Sequence, residues 1–172
     1  MKSIKILGKC LFVSLSMLAL SCSSSDDGGS GGGGTPTSTM IKAKVNGTQY
    51  QTFSVQGVSA GIATTSGTGE SRLIMISGSN DMSGNTAFAI DLIGINATGD
   101  YTINPDSDSV MSFEMGGIAY DTSGCGNATG TIKITMLNEE GIKGTFSFTG
   151  KDDENCSNSK AVTEGSFSGK FM

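Results

Sequence analysis

The feature that most constrains this chain is a two-residue alternation of apolar and polar side chains, repeated in short runs and nowhere replaced by a helical stripe. Ile41, Ala43 and Val45 alternate with Met40, Lys42 and Lys44. Phe88, Ile90 and Leu92 share one face of a run whose other face carries Ala87, Ala89 and Asp91. Ile132, Ile134 and Met136 alternate with Thr131, Lys133 and Thr135, and Phe146 and Phe148 with Thr145, Ser147 and Thr149. Successive side chains point to opposite sides only in an extended strand, so each run predicts a strand with one buried and one wet face. No stretch after Cys22 repeats apolar residues at i, i+3 and i+4 over three turns, which leaves no amphipathic helix to build with.

Turn chemistry connects these runs. Asn46-Gly47 predicts a tight hairpin turn into a strand over residues 48–55. Further runs at 58–65, 72–77, 101–104, 111–120 and 161–171 bring the expected total to about nine or ten strands at short, regular spacing. Such spacing predicts an all-β antiparallel β-sandwich, with a lipocalin-like β-barrel as the alternative closure. Gly116-Gly117 and Gly165 coincide with changes of inward phase, so a β-bulge is expected at each.

The amino terminus reads differently. Lys2, Lys5 and Lys9 precede an apolar run from Leu11 to Leu20. A bilayer span needs about 20 such residues, so this shorter run predicts a secretory signal peptide over residues 1–21 rather than an anchor helix. Leu18-Ala19-Leu20-Ser21-Cys22 resembles the lipobox of bacterial lipoproteins, with alanine where the pattern prefers leucine. The resemblance implies that Cys22 is acylated and becomes the first residue, while Cys10 leaves with the signal. Several acyl chains would hold the protein on a membrane where one is marginal. Residues 22–39, rich in Gly and Ser, predict a flexible tether. Asp26 and Asp27 resemble the surface-export signal of bacteroidete-type lipoproteins; a solvated acidic linker is the alternative. Residues 40–172 are enough for one domain with its own core.

Once cleaved, the chain keeps eight cationic residues against sixteen acidic ones, a charge of −8. A nucleic-acid or anionic-surface partner is not expected, because neither would meet a basic patch. Cys125 and Cys156 are the two thiols left in the domain. Pairing residues 131–137 with 142–150 brings both cysteines to the open end of that hairpin, and an oxidising envelope permits a disulfide there. Free thiols are the alternative. Closing a loop of that size is worth roughly 3–4 kcal/mol on the chain-entropy model.

Chemistry is sparse. No histidine occurs, which removes the usual general base, the Ser/His/Asp triad and the common zinc sites. Gly57-Val58-Ser59-Ala60-Gly61 matches the G-x-S-x-G pattern but lacks the histidine and the strand-turn-helix setting of a nucleophile elbow. Asp91 and Glu114 are the carboxylates within strands that could form an acid/base pair. Asn104-Pro105-Asp106-Ser107-Asp108 places close-spaced oxygens on a loop, readable as a polar turn or a calcium site in which Asp106 and Asp108 would be ligands. Asp152-Asp153-Glu154 carries the same ambiguity. No metal or cofactor is otherwise expected. Asp108-Ser109-Val110 resembles the O-glycosylation acceptor triplet of exported bacteroidete-type proteins and marks Ser109 for that modification.

The domain as a whole resembles a family of small uncharacterised bacteroidete-type lipoproteins. The resemblance rests on Met40–Val45 with Asn46-Gly47, on Gly130-Thr131-Ile132-Lys133-Ile134-Thr135, on Gly144-Thr145-Phe146-Ser147-Phe148 and on Val162-Thr163-Glu164-Gly165-Ser166-Phe167. It implies a β fold at the outer membrane, on the cell surface or the periplasmic side, and supplies no activity. Two functions follow as expectations. One is a non-catalytic binding or accessory module of the cell envelope, anchored through Cys22 and holding a glycan or an envelope protein, with Tyr50, Tyr101 and Tyr120 as stacking platforms or as core. The other is a histidine-independent glycan hydrolase using paired carboxylates.

Overall fold

The computed structural model describes residues 34–152 and 156–172. The signal segment, Cys22, Asp26, Asp27, most of the tether, Asp153 and Glu154 lie outside the described residues. Eleven strands form one antiparallel sheet that curls on itself, and its two halves face each other across a shared core. The first half runs β8 (Gly99–Ile103), β11 (Thr129–Leu137), β12 (Gly141–Asp152), β13 (Ser159–Lys170), β1 (Met40–Val45) and β2 (Thr48–Gln51). The second runs β10 (Ile118–Asp121), β9 (Val110–Met115), β7 (Thr86–Ile93), β6 (Leu73–Ser79) and β5 (Gly61–Ser66). A two-stranded hairpin, β3 (Ser54–Val55) with β4 (Val58–Ser59), stands apart.

The long strand β12 makes the curl. Ile142 to Thr149 pair with β11, and its far end leaves that partner and pairs with β10, Tyr120 opposite Asp152. At the other corner Phe171, just past β13, bridges to Ala63 of β5. The inward residues of both halves then meet: Ile41, Ile132, Ile134, Phe148 and Val162 from one, Ile74, Ile76, Ile90, Leu92 and Met111 from the other, all buried. Phe88 bridges the halves, its ring 4.9 Å from Phe113 and 6.2 Å from Phe146. Each such side chain fully buried is worth about 1.5–3 kcal/mol, so the alternation of every strand is enforced by one common interior.

The all-β antiparallel architecture is as the alternation predicts; thirteen strands replace nine or ten because several predicted runs contain a reversal. Residues 48–55 and 58–65 each break into two strands around the small hairpin. Residues 111–120 are a hairpin, β9 and β10, with Gly116 and Gly117 at φ of 61° and 79° between them. Two successive left-handed residues make a tight reversal rather than a bulge. The expected bulge in the last strand is present: Phe146 faces Gly165 and Phe148 faces Val162, leaving two residues of β13 unmatched, with Glu164 at φ 52°.

Candidate functional site

The outward side of the first half is the candidate. Parity along the strands sends Lys42 and Lys44 of β1, Lys133 of β11, Lys143 and Lys151 of β12, and Lys170 of β13 to this side. Strand pairing makes them neighbours: Lys42 lies opposite Ser166, Lys44 opposite Thr163, Lys133 opposite Thr145 and Lys143 opposite Ser168. Six of the eight described cations therefore share a face with Asp100, Glu164 and, opposite Lys151, Asp121 among twelve described acids. The sheet twists here into a concavity of about 810 Å³ lined by Lys42, Lys44, Lys133, Thr131, Thr145 and Ser147 among others.

Its charges are partly tied. Lys44 Nζ lies 2.8 Å from Glu164 across the β1–β13 pair, and Lys133 Nζ lies 3.9 Å from Asp100. The side chain of Lys42 makes no ion pair among the described residues. Thr131 and Ser147 hydroxyls are 3.3 Å apart. The floor thus offers hydroxyls that donate and accept, rimmed by ammonium groups that only donate. Such a surface can hold polyhydroxylated or anionic groups by many modest hydrogen bonds; it has no activated nucleophile.

The sequence contains each of these lysines but not their convergence, which depends on β1 joining β13 and β8 joining β11. The absence of a basic patch, read from net charge, does not hold for this face.

The structure distributes the other candidates widely. Asp91 and Glu114 point outward from the second half, but Glu114 pairs with Ala87, four residues along β7 from Asp91. At about 3.4 Å per residue they stand roughly 14 Å apart, beyond the 5–9.5 Å of a glycosidase pair. Asp91 lies between Met75 and Val110, and desolvation there raises its pKa above the ordinary carboxylate value. In the β8–β9 loop, Asn104 Oδ1 accepts from Asp106 N–H at 2.9 Å, and the Ser107 hydroxyl donates to Asn104 O at 2.6 Å. The loop's oxygens are thus partly spent within its own turn, and no cluster of three metal-ligating side chains occurs among the described residues. The Ser59 hydroxyl donates to Thr39 O and has a structural role.

Ser109 is only 5% exposed, and its hydroxyl accepts from Ile93 N–H at 2.9 Å. A transferase would reach it only with this strand end open. The tyrosines serve the core. Tyr50 packs edge-on to Phe113 at 5.4 Å, Tyr101 donates to Ala97 O at 2.8 Å, and Tyr120 is buried under Lys160, whose Nζ is 5.3 Å from the ring centre.

Cys125 and Cys156 form a disulfide at the open end of the β11–β12 hairpin, as the strand pairing predicts. Beside it Asp152 is buried; one carboxylate oxygen accepts from Asn158 Nδ2 at 2.7 Å, while the other has no partner among the described residues.

No curated protein and no solved structure matches the chain. A family model, DUF6252, described as a domain of unknown function, matches residues 37–169. That span takes in both halves of the curled sheet, the disulfide and the lysine-bearing face, and the chain belongs to the DUF6252 family.

Proposed function

We propose that the chain is a lipid-anchored, non-catalytic binding module of the bacterial envelope, held through acylated Cys22 and taking a glycan or envelope-protein partner on the concave lysine-bearing face. The observation that carries this reading is the gathering of Lys42, Lys44 and Lys133 with Thr131, Thr145 and Ser147 around one concavity in an otherwise acidic molecule. Of these two partners a glycan bearing carboxylates suits it best, because hydrogen bonds to charged groups are worth about 1.5–3 kcal/mol each. The signal-like segment and the lipobox resemblance support outer-membrane attachment.

Titrating the mature chain with a uronic-acid oligosaccharide and with a neutral glucan of equal length tests the face. Preferential binding of the acidic sugar, weakened about tenfold by Lys42→Ala, supports the proposal, a tenfold change being about 1.4 kcal/mol. Equal indifference to both sugars would remove the glycan and leave the protein partner. Incorporation of labelled palmitate, lost in Cys22→Ser, tests the anchor. Protease access on intact cells separates a surface position from a periplasmic one.

A further inference from the structure

Among the described residues, four of the eight exposed large hydrophobic side chains sit on neighbouring tips, and the other four, Ile62, Met75, Ile93 and Met172, lie elsewhere. The β3–β4 hairpin carries Val55 and Val58 as a cross-strand pair at its tip, 52% and 70% exposed. The β6–β7 loop carries Met82, 86% exposed, and Ile118 at the start of β10 is 49% exposed. Backbone hydrogen bonds knit these segments together: Phe53 N–H donates to Ser79 O, Asn80 N–H to Thr86 O and Gly116 N–H to Asn85 O. Large apolar side chains on three adjacent tips, away from the core, mark a contact surface.

The chain passes the foot of the β3–β4 hairpin as it enters the domain. Thr35 donates to Glu140 at 2.6 Å, Thr39 O accepts from the Ser59 hydroxyl at the foot of the hairpin, and Thr52 N–H donates to Ile41 O where β1 begins. Twelve residues, 23–34, separate Cys22 from Thr35. At no more than about 3.6 Å per residue, the thirteen steps from Cys22 keep Thr35 within roughly 47 Å of the anchor. The tips carry no lysine or arginine, and the Asp81 carboxylate is engaged by the Ser83 hydroxyl and the N–H groups of Ser83 and Gly84. What they meet is therefore apolar and not strongly anionic.

We infer that these tips dock on the anchoring membrane, with Val55, Val58, Met82 and Ile118 entering the headgroup–acyl boundary of a zwitterionic bilayer. The inference rests on the lipid-anchor reading and adds an orientation to it. Shallow apolar insertion of this kind reaches about 5–10 Å below the headgroups. The tether holds the tips at high local concentration, so individually weak contacts suffice.

The chain has no tryptophan, so one introduced residue reports alone. The lipidated full-length product is reconstituted in phosphatidylcholine–phosphatidylethanolamine vesicles, with Val58→Trp as probe and Asp106→Trp, in the β8–β9 loop, as reference. Met82→Trp replaces the first probe if that variant fails to fold. Acylation of Cys22 is read by mass spectrometry. The expected result is a blue-shifted emission at position 58, quenched several-fold more by lipids brominated near the headgroup than at position 106, and unchanged by added salt. Vesicle-bound, acylated protein with equal quenching at both positions overturns the docking alone and leaves the tips to a protein partner. Protein without acyl groups on Cys22 that does not bind vesicles overturns the anchor reading and the docking with it.

Discussion

At the residue scale, two glycines of the sheet each sit under an aromatic ring of the neighbouring strand, with a backbone carbonyl closer still: Lys133 O at Gly144 and Phe146 O at Gly165. Gly144 pairs with Phe167 and Gly165 with Phe146 across β12 and β13. A Cβ on Gly144 would lie 2.6 Å from the Phe167 ring, and one on Gly165 would lie 2.7 Å from the Phe146 ring. Each ring lies over the backbone of the glycine opposite, a pairing that a methyl group would destroy. Gly144→Ala and Gly165→Ala are each expected to cost about 1–3 kcal/mol in urea unfolding, the usual range for overpacking. Gly126→Ala, which meets open space, should stay within about 0.5 kcal/mol of the parent. Asp91 gives a prediction with the opposite sign. Its pKa is raised in the folded state by desolvation between Met75 and Val110. A carboxyl so raised is easier to protonate folded than unfolded, so its ionisation opposes folding. That penalty is absent below the unfolded value near 4 and grows as pH rises through the folded value. Asp91→Asn should therefore stabilise the protein at pH 7 and lose the advantage near pH 3. A difference in unfolding midpoint that is flat across this range would show that desolvation is not what the mutation relieves.

At the scale of elements, the two-residue hairpins differ in how well their residues suit them. Asn46-Gly47 and Gln56-Gly57 both adopt left-handed conformations, with φ of 47° and 85° in the first and 49° and 79° in the second. Asparagine tolerates that region and glutamine does so poorly. Gln56→Asn should thus stabilise the β3–β4 hairpin by a few tenths of a kcal/mol up to about 1, read as slower proteolysis at that tip. The disulfide acts on a larger element. It closes the β11–β12 hairpin at a sequence separation of 31 residues, so a Cys125→Ser/Cys156→Ser variant should lose roughly 3 kcal/mol in urea. This bridge was legible in the sequence because the alternations around Ile132 and Phe146 set the register, and the register carries the cysteines to the same end. The reversal inside 111–120 was not legible. Gly116-Gly117 changes the inward phase whether it makes a bulge or a turn, and what decides is the partner: Met115 pairs with Ile118 and Thr86 alike. The core of each strand was readable from its own residues, whereas the order of the strands was not. The candidate face, built from that order, was therefore hidden even though every lysine in it was in view.

For the whole molecule, the consequence is a charge distribution that opposes its net charge. Residues 22–172 carry a net −8, yet six described lysines share one side with three acids. Neighbouring strands are about 4.8 Å apart, and β11, β12, β13 and β1 supply these lysines, so the basic face is about 14 Å wide. The Debye length is about 8 Å at 0.15 M salt but about 30 Å at 0.01 M. A domain of about 130 residues has a radius of gyration near 14 Å. In dilute salt an anionic surface senses the whole acidic molecule; at moderate salt it senses mainly the face presented to it. Retention of residues 22–172 on a sulfonate matrix at pH 7 should therefore pass through a maximum. The chain is excluded near 0.01 M, held weakly around 0.1 M and released again as screening becomes complete. Lys42→Glu/Lys143→Glu leaves the Lys44–Glu164 and Lys133–Asp100 pairs intact and should abolish the maximum. Exclusion of the parent protein at every salt concentration would mean that the lysines do not act together as a surface, and the anionic-glycan reading of that face would fail with it.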